Sequence, residues 1–222
     1  MEQKIIDALV KCPLFDGMSA TEIEITLSGA AYRLVDYDKH DIYALAGMPY
    51  QYADIVISGE LICRMSSLSG KQVEVSRLRP GNLVAPAFLF GKDRKIPVGV
   101  ETGSKVKVFR MRHEEFENLL RGNWQLAENF IRVLSNINVF LTRRLRVLSL
   151  FTVREKVAWL LMERAGEQGT NKIHLYRSRQ EIADSFGIQK FSLLRVLSDL
   201  QKDGAIEING REITILDRSK MR

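Results

Sequence analysis

Between Ser178 and Lys202 the sequence has the residue types and spacing of two short helices joined by a tight turn. Ser178 and Glu181 form a capping box, in which the serine oxygen accepts a backbone N–H and the glutamate reaches back to the start of the helix. Ala183 is small enough for a second helix to approach closely. Gly187 can take a turn conformation that other residues resist. The pattern predicts a helix-turn-helix, whose second helix enters the major groove of DNA.

The motif has an apolar set of residues that packs inward, and its second helix has an exposed face. The residues expected to pack inward are Ile182, Phe186, Ile188, Leu193, Val196, Leu197 and Leu200, and those left exposed are Gln189, Lys190, Phe191, Ser192, Arg195, Ser198 and Asp199. The expected DNA-binding residues are Ser178, Arg179, Gln189, Lys190, Phe191, Ser192 and Arg195. After the helix, Asn209-Gly210 between two β-like runs predicts a hairpin, and hence a winged helix. A winged helix that contacts protein instead of DNA is the alternative.

A heptad pattern precedes this region, from Asn123 to Ser149. Its seam consists of Trp124, Ala127, Ile131, Leu134, Asn138, Leu141, Leu145 and Leu148, spaced alternately three and four residues apart. Such spacing is typical of helices that pack lengthwise, and a lone Asn in the seam fixes register and favours two strands. We expect a dimer helix, because the chain contains no second helix of matching length. One long helix of an intramolecular bundle is the other interpretation.

The region before the long helix alternates short β-like runs with turn signals. The predicted strands are 31–37, 41–45, 53–58, 60–65, 71–78, 96–101 and 105–111, and this regular punctuation indicates a small antiparallel barrel or jelly roll. The expected fold is therefore α+β in three parts. A β-roll sensor domain occupies residues 1–122, a dimerisation helix residues 123–149, and a winged helix-turn-helix residues 150–222.

Composition narrows the function classes. The net charge of +6 is concentrated, per residue, in the C-terminal third, which favours a polyanionic partner. No apolar run is long enough to span a membrane and the N-terminus lacks a signal peptide, so a cytoplasmic protein is expected. No nucleophile–base pair, metal cluster or glycine-rich phosphate loop has usable spacing, so we do not expect an enzyme. Cys12 and Cys63 cannot supply four thiolates, so neither an iron–sulfur cluster nor an all-cysteine metal site is expected.

At this point the sequence resembles the Crp/Fnr family of bacterial transcription regulators over nearly its whole length. The stretches that carry the resemblance are 12–15 (Cys-Pro-Leu-Phe), Gly47, 56–60 (Val-Ile-Ser-Gly-Glu), 79–81 (Arg-Pro-Gly) and 178–183 (Ser-Arg-Gln-Glu-Ile-Ala). The resemblance implies a homodimer that binds palindromic double-stranded promoter DNA, contacts RNA polymerase and responds to a signal in the β-roll.

Departures from the family pattern bear on the signal. Members that bind cyclic nucleotides have a Gly-Glu pair followed by Arg and a small hydroxyl residue, and here Pro86 falls at the Glu while Ile96-Pro97 falls at the Arg-Ser pair. Lys95 cannot make the bidentate phosphate contact of Arg. We therefore expect an effector other than a cyclic nucleotide, of apolar or anionic character; a pocket that binds nothing, in a constitutive or redox-tuned regulator, is an alternative. The pocket residues expected for it are Leu83, Val84, Ala85, Pro86, Lys95, Ile96, Ile137 and Asn138. A haem-dependent gas sensor, with His40 or His113 as ligand, is an alternative, although both histidines are expected to be exposed.

The recognition helix also departs from the family's Arg-Glu-x-x-x-Arg. Arg195 is in place and can contact guanine with two hydrogen bonds. Lys190 stands at the first Arg, and Phe191 replaces the Glu that would accept from cytosine. Because an apolar ring can touch a thymine methyl, we expect an operator that differs from the family's commonest one at that position.

Overall fold

A computed structural model describes residues 1–66 and 72–221. Its contacts divide the chain into two compact units, Met1–Val139 and Phe140–Arg222. The boundary falls inside the long helix and not at one of its ends. The three-part division expected from the sequence stays a prediction.

The first unit combines short helices with β-strands. Its helices are α1 (Gln3–Val10), α2 (Ala20–Leu27), α3 (His113–Gly122) and the start of α4 (Trp124–Leu150). Its strands are β1 (Tyr32–Tyr37), β2 (Ile42–Ala44), β3 (Tyr52–Ser58), β4 (Leu61–Ser66), β5 (Gln72–Leu78), β6 (Leu83–Val84), β7 (Gly99–Thr102) and β8 (Val106–Arg112). They form two four-stranded antiparallel sheets, in the orders β1-β8-β3-β6 and β2-β7-β4-β5. The expected α+β class with an N-terminal antiparallel β-roll is confirmed.

Two strands differ from the prediction. The predicted strand 96–101 begins only at Gly99, because Pro97 has no N–H to donate to a ladder. The two-residue strand β6 was not predicted; it pairs with β3 through Ile55 and Asp54. Lys71, the first residue of the predicted strand 71–78, lies outside the described residues.

A buried ion pair joins β3 to β8 in the first sheet. The Asp54 carboxylate is fully buried and accepts from Arg110 Nε at 3.0 Å and Arg110 Nη2 at 2.6 Å. The hydroxyls of Tyr43 and Tyr50 also donate to it. Burial and the neighbouring carboxylate raise the pKa of both tyrosines well above the usual value, so both remain donors. Four donors therefore replace the water that Asp54 loses on folding.

The second unit contains the end of α4, three further helices and a small sheet. The helices are α5 (Val153–Gln168), α6 (Arg179–Ser185) and α7 (Lys190–Lys202), and the strands are β9 (Lys172–His174), β10 (Ile206–Asn209) and β11 (Glu212–Ile215). The antiparallel sheet has the order β10-β11-β9. Capping boxes begin α5 at Thr152 and α6 at Ser178, and the one at Ser178 confirms the sequence prediction. The winged helix-turn-helix expected from the sequence is confirmed.

We expect Arg110→Met to lower the free energy of unfolding by about 3–5 kcal/mol, because it leaves the Asp54 carboxylate buried without its cation. Arg121→Met is the matched control. Arg121 pairs with Glu117 at 2.6 Å on an exposed part of α3, where such pairs contribute about 1 kcal/mol or less. Urea unfolding followed by circular dichroism measures both. Equal losses for the two variants would contradict the role given to the buried pair.

Candidate DNA-binding surface and effector cavity

The turn between α6 and α7 is built by local hydrogen bonds. Gly187 has φ +63°, a left-handed conformation that glycine adopts without steric penalty. Its N–H donates to Asp184 O at 3.1 Å, and Ile188 N–H donates to Ala183 O at 3.0 Å. Ala183 is fully buried, as its small size predicts. These bonds end α6 and fix the direction in which α7 leaves.

Buried apolar side chains hold α7 against α6 and leave one face outward. Ile182, Phe186, Leu193, Leu197 and Leu200 are buried, while Gln189, Lys190, Phe191, Arg195 and Ser198 are exposed and Ser192, Val196 and Asp199 are half-buried. Gln189 is the N-cap residue of α7 and makes no side-chain capping bond. Most positions therefore fall as the sequence indicates; Ile188 and Val196, expected inward, and Ser192 and Asp199, expected outward, are only half-buried. The DNA-binding role of the outward set stays a prediction.

One residue of this outward face was missed. Leu194 is 42 % exposed, and Phe191, three residues earlier, is 73 % exposed. Residues three apart are neighbours on a helix surface, so the two side chains form one apolar patch beside Arg195. The signal was present in the sequence, since Leu194 directly follows the buried Leu193 and so points away from the core.

Ser178 and Arg179, also expected to contact DNA, have structural partners. Ser178 Oγ accepts from Glu181 N–H at 3.2 Å in the capping box. Arg179 is half-buried, and its Nη2 donates to Gly210 O at the tip of the hairpin, at 3.0 Å. The loop of that hairpin is Gly210-Arg211, between the paired residues Asn209 and Glu212, one residue later than the expected Asn209-Gly210. Arg179 thus ties the start of α6 to the wing.

A second arginine, Arg144 in α4, contacts the helix-turn-helix and was not singled out from the sequence. Its Nη2 donates to Ser185 O at 2.9 Å. Its guanidinium lies 4.6 Å from the centre of the Phe186 ring and 5.5 Å from that of Trp159. Burial lowers the pKa of Arg144, while stacking on aromatic faces offsets part of the lost hydration. The end of α4 is therefore fixed to the turn that orients α7.

The first unit contains a cavity of about 410 Å³ between the second sheet and α4. Among the described residues, its wall consists of Pro13, Cys63, Val75, Ser76, Leu78, Asn82, Leu83, Val84, Ala85, Pro86, Phe88, Ile96, Pro97, Val98, Val100, Val133 and Ile137. Six of the eight residues expected from the sequence are in this wall. Lys95 and Asn138 are exposed and are not part of it. Those two assignments to the pocket are therefore not supported by the geometry.

The loop that forms one edge of this cavity has an unusual backbone. Ala85 has φ +48° and ψ +43°, and it precedes the short 3₁₀ turn Pro86–Phe88. Left-handed backbone is uncommon for residues other than glycine. The strained turn directs the Pro86 ring to the cavity wall, at the position where cyclic-nucleotide-binding members of the resembled family have a carboxylate.

The seam of α4 is largely open to solvent. Trp124, Ile131, Asn138, Leu141, Leu145 and Leu148 are exposed, whereas Ala127 and Leu134 are half-buried. The exposed fractions of the leucines at 141 and 145 are 56 % and 64 %. A different side of the same helix is buried, with Leu126 and Phe130 in the first core and Val147 in the second.

Two family models match the chain. A cyclic nucleotide-binding domain matches residues 34–123, and a Crp-like helix-turn-helix domain matches residues 155–222. The chain belongs to the Crp/Fnr family. It is a DNA-binding transcription regulator of the Crp/Fnr type with a domain of the cyclic nucleotide-binding kind, as the sequence resemblance implied.

Solved structures with the same fold include members of the Crp/Fnr family. FixK2 from Bradyrhizobium japonicum is 19% identical with a TM-score of 0.65, over 86% of this chain and 96% of FixK2. A CooA mutant from Carboxydothermus hydrogenoformans is 17% identical with a TM-score of 0.69, over 100% and 95%. The c-di-GMP responsive global regulator CLP from Xanthomonas campestris is 22% identical with a TM-score of 0.61, over 89% and 99%. A comparison with curated protein sequences finds no match.

The histidines of this Crp/Fnr-family chain are placed differently from one another. His40 is exposed as expected, but His113 is only 4 % exposed, so that expectation was wrong. His113 begins α3, its backbone N–H donates to Gln51 O at 3.0 Å, and its ring lies 5.0 Å from that of Phe90. Its Nδ1 has no hydrogen-bond partner within residues 1–66 and 72–221. In those ranges no three His, Cys, Asp or Glu side chains form a metal-binding group.

No helix in the described parts of the chain is both long and apolar enough to cross a membrane.

Cys12 and Cys63 are buried and unpaired. Burial raises the pKa of Cys12 to about 12 and also raises that of Cys63, against a weaker opposite effect of its hydrogen bond with Ser76. Both residues are therefore neutral thiols at physiological pH, which fits their interpretation as small hydrophobic side chains.

We expect neither thiol of the folded protein to react with Ellman's reagent at pH 8 within minutes. The reactive species is the thiolate, and a raised pKa together with burial leaves almost none of it accessible. Both thiols should react at once in concentrated urea, which serves as the control. Fast release of one equivalent of thionitrobenzoate from the folded protein would show that one of the two cysteines is accessible, against the burial described.

Proposed function

We propose that this regulator acts as a homodimer formed along α4, that its two winged helices bind the two half-sites of a promoter, and that a small molecule in the β-roll modulates binding. The observation that carries the proposal is the exposed apolar seam of α4, in a chain that also presents an outward-facing recognition helix. Fully burying a leucine-sized side chain contributes about 1.5–3 kcal/mol. A second copy of the same seam supplies a matching surface for five large apolar side chains.

The dimer explains why one reading helix per chain suffices. A helix-turn-helix dimer places two recognition helices in successive major grooves, about 34 Å apart. Asn138 lies in the seam between Leu134 and Leu141, where a buried amide favours two aligned strands. We propose that Asn138 serves the dimer and has no part in the effector cavity.

On the proposed DNA-binding surface, one cation and one apolar patch would contact the bases. Arg195 is exposed in the second turn of α7 and can donate two hydrogen bonds to guanine. Phe191 and Leu194 fit the methyl group of thymine, which is the apolar feature of the major groove. Lys190, at the N-terminal end of the helix, suits a phosphate.

The cavity supports an effector other than a cyclic nucleotide. Its described wall includes no arginine or lysine that could pair with a cyclic phosphate. The haem alternative gains no support, because His113 is packed against Phe90 and His40 is exposed away from the cavity wall. A contact with RNA polymerase remains an expectation from the family.

We expect Arg195→Ala to weaken operator binding by about 1–3 kcal/mol and to relax preference at one base pair of each half-site. Fluorescence anisotropy with DNA from upstream of the gene, followed by selection from a randomised operator, measures both effects. Lys202→Ala, an exposed cation at the far end of α7, is the control and should keep the base preference. If Arg195→Ala binds every sequence as the parent does, the proposed docking of α7 is wrong.

We expect Leu141→Asp to dissociate the dimer, because pairing would bury a carboxylate without a partner. Asn136→Asp is the matched control, since Asn136 is exposed on α4 outside the seam. Sedimentation equilibrium should give a monomer for Leu141→Asp and a dimer for Asn136→Asp, with operator binding lost only in the former. A dimer that tolerates Leu141→Asp would show that the chains associate through another surface.

A further inference from the structure

We propose that the β-roll cavity binds a neutral, predominantly apolar small molecule, oriented by one polar corner at Cys63 and Ser76. The assignment rests on the proposed function, because it names the chemical class of the effector of that same regulator. It narrows the two classes that the sequence left open, apolar and anionic, to one.

The size and lining of the cavity fit a ligand better than water. Ligand pockets in proteins commonly have volumes of about 300–1,000 Å³ and are lined mainly by apolar side chains, and this one measures about 410 Å³. Water is retained inside proteins where it finds two to four polar partners. The wall offers side-chain polar groups only at Cys63, Ser76 and Asn82 among the described residues. A pocket of this size with so few polar partners suits an apolar molecule better than ordered water.

The cations of the surrounding strands are already paired outside the cavity. Arg77 of β5 donates from Nε to Glu74 Oε1 at 2.8 Å and from Nη1 to Glu60 Oε1 at 2.9 Å. Arg64 of β4 pairs with Glu101 of β7. Within the described wall, an anion would therefore meet no arginine or lysine to replace the hydration it gives up, which is unfavourable.

The polar corner at Cys63 and Ser76 determines which polar group the ligand can have. Cys63 and Ser76 are directly opposite each other on β4 and β5, and both face the cavity. The carbonyl oxygen of the Asn82 side chain is taken by the Arg79 backbone N–H, at 2.8 Å. A hydroxyl or carbonyl on the ligand can exchange a hydrogen bond with Ser76 without bringing a charge. On the opposite wall, Val133 and Ile137 of α4 would pack against the apolar part of the ligand.

Nile red, a neutral apolar dye, serves as the probe in a titration of the full-length protein. We expect saturable binding at one site per chain, with increased fluorescence. Two competitors share a ring system and differ in charge: 1-naphthalenemethanol, which is neutral, and 1-naphthoate, which is an anion at pH 8. The alcohol should displace the dye at concentrations at least ten-fold lower than the carboxylate, and cyclic AMP should not displace it.

Variants locate the site. Val98→Phe extends a wall residue into the cavity and should weaken dye binding at least ten-fold. Ile42→Phe, at a residue that is 68 % exposed and outside the wall, should leave it unchanged. Val75→Phe, at the more exposed edge of the wall, repeats the test if Val98→Phe fails to fold. The proposal would be overturned if 1-naphthoate or cyclic AMP displaced the dye more strongly than 1-naphthalenemethanol does. It would also be overturned if the wall variant bound the dye as tightly as Ile42→Phe.

Operator binding, measured on the same preparations, separates this inference from the proposed function. Protein that binds its operator but takes up no Nile red retains its role as a regulator and loses the apolar effector. Protein that binds Nile red but binds no DNA, either alone or with 1-naphthalenemethanol in its cavity, contradicts the proposed function itself.

Discussion

Helix α4 must satisfy three different environments along one rod, and the rest of the molecule depends on that constraint. Leu126 and Phe130 complete the core of the first unit, and Val147 that of the second. The seam residues Ile131, Leu141 and Leu145 are exposed and belong to neither core. A helix that is apolar on more than one face is stable in water when each face is covered. The dimer proposed here covers the face that remains.

The parts of the fold that were predicted correctly are those set by local interactions. The capping box at Ser178 and the glycine turn at Gly187 depend on hydrogen bonds that span only three to five residues. Short β-like runs separated by turn signals likewise identified most strands, because turn residues have strong local conformational preferences. Strand β6 was not predicted, because its two residues form a strand only by pairing with β3, about thirty positions earlier in the chain. A strand of two residues is too short to show a repeating pattern in the sequence.

At the candidate sites, the contacts of several charged residues could not be predicted from the sequence. An arginine in a sequence reads as a solvated or DNA-contacting group, yet Arg144 stacks on aromatic rings and Arg179 binds the carbonyl of a hairpin tip. Lys95 was assigned to the cavity because it precedes Ile96-Pro97, which fall at the family's Arg-Ser pair, and could supply a charge there. Adjacent side chains in an extended segment point to opposite sides, however. The cavity wall opposite Leu83–Pro86 comes from β4, β5 and α4. Their approach to this loop follows from sheet pairing, which spacing along the chain does not reveal.

The shell of the β-roll and the chemistry of its cavity are controlled by different features, which is why one fold can serve several signals. The shell depends on backbone pairing and on buried contacts such as the Asp54–Arg110 ion pair, whose two side chains are not part of the described cavity wall. The proposed ligand is selected by the side chains that line this wall. At Ala85 the chain accepts a left-handed backbone conformation that glycine would adopt more easily, so the turn is kept while its side chains differ. Substituting a proline ring for a carboxylate there changes what can bind without disturbing what holds the sheets together.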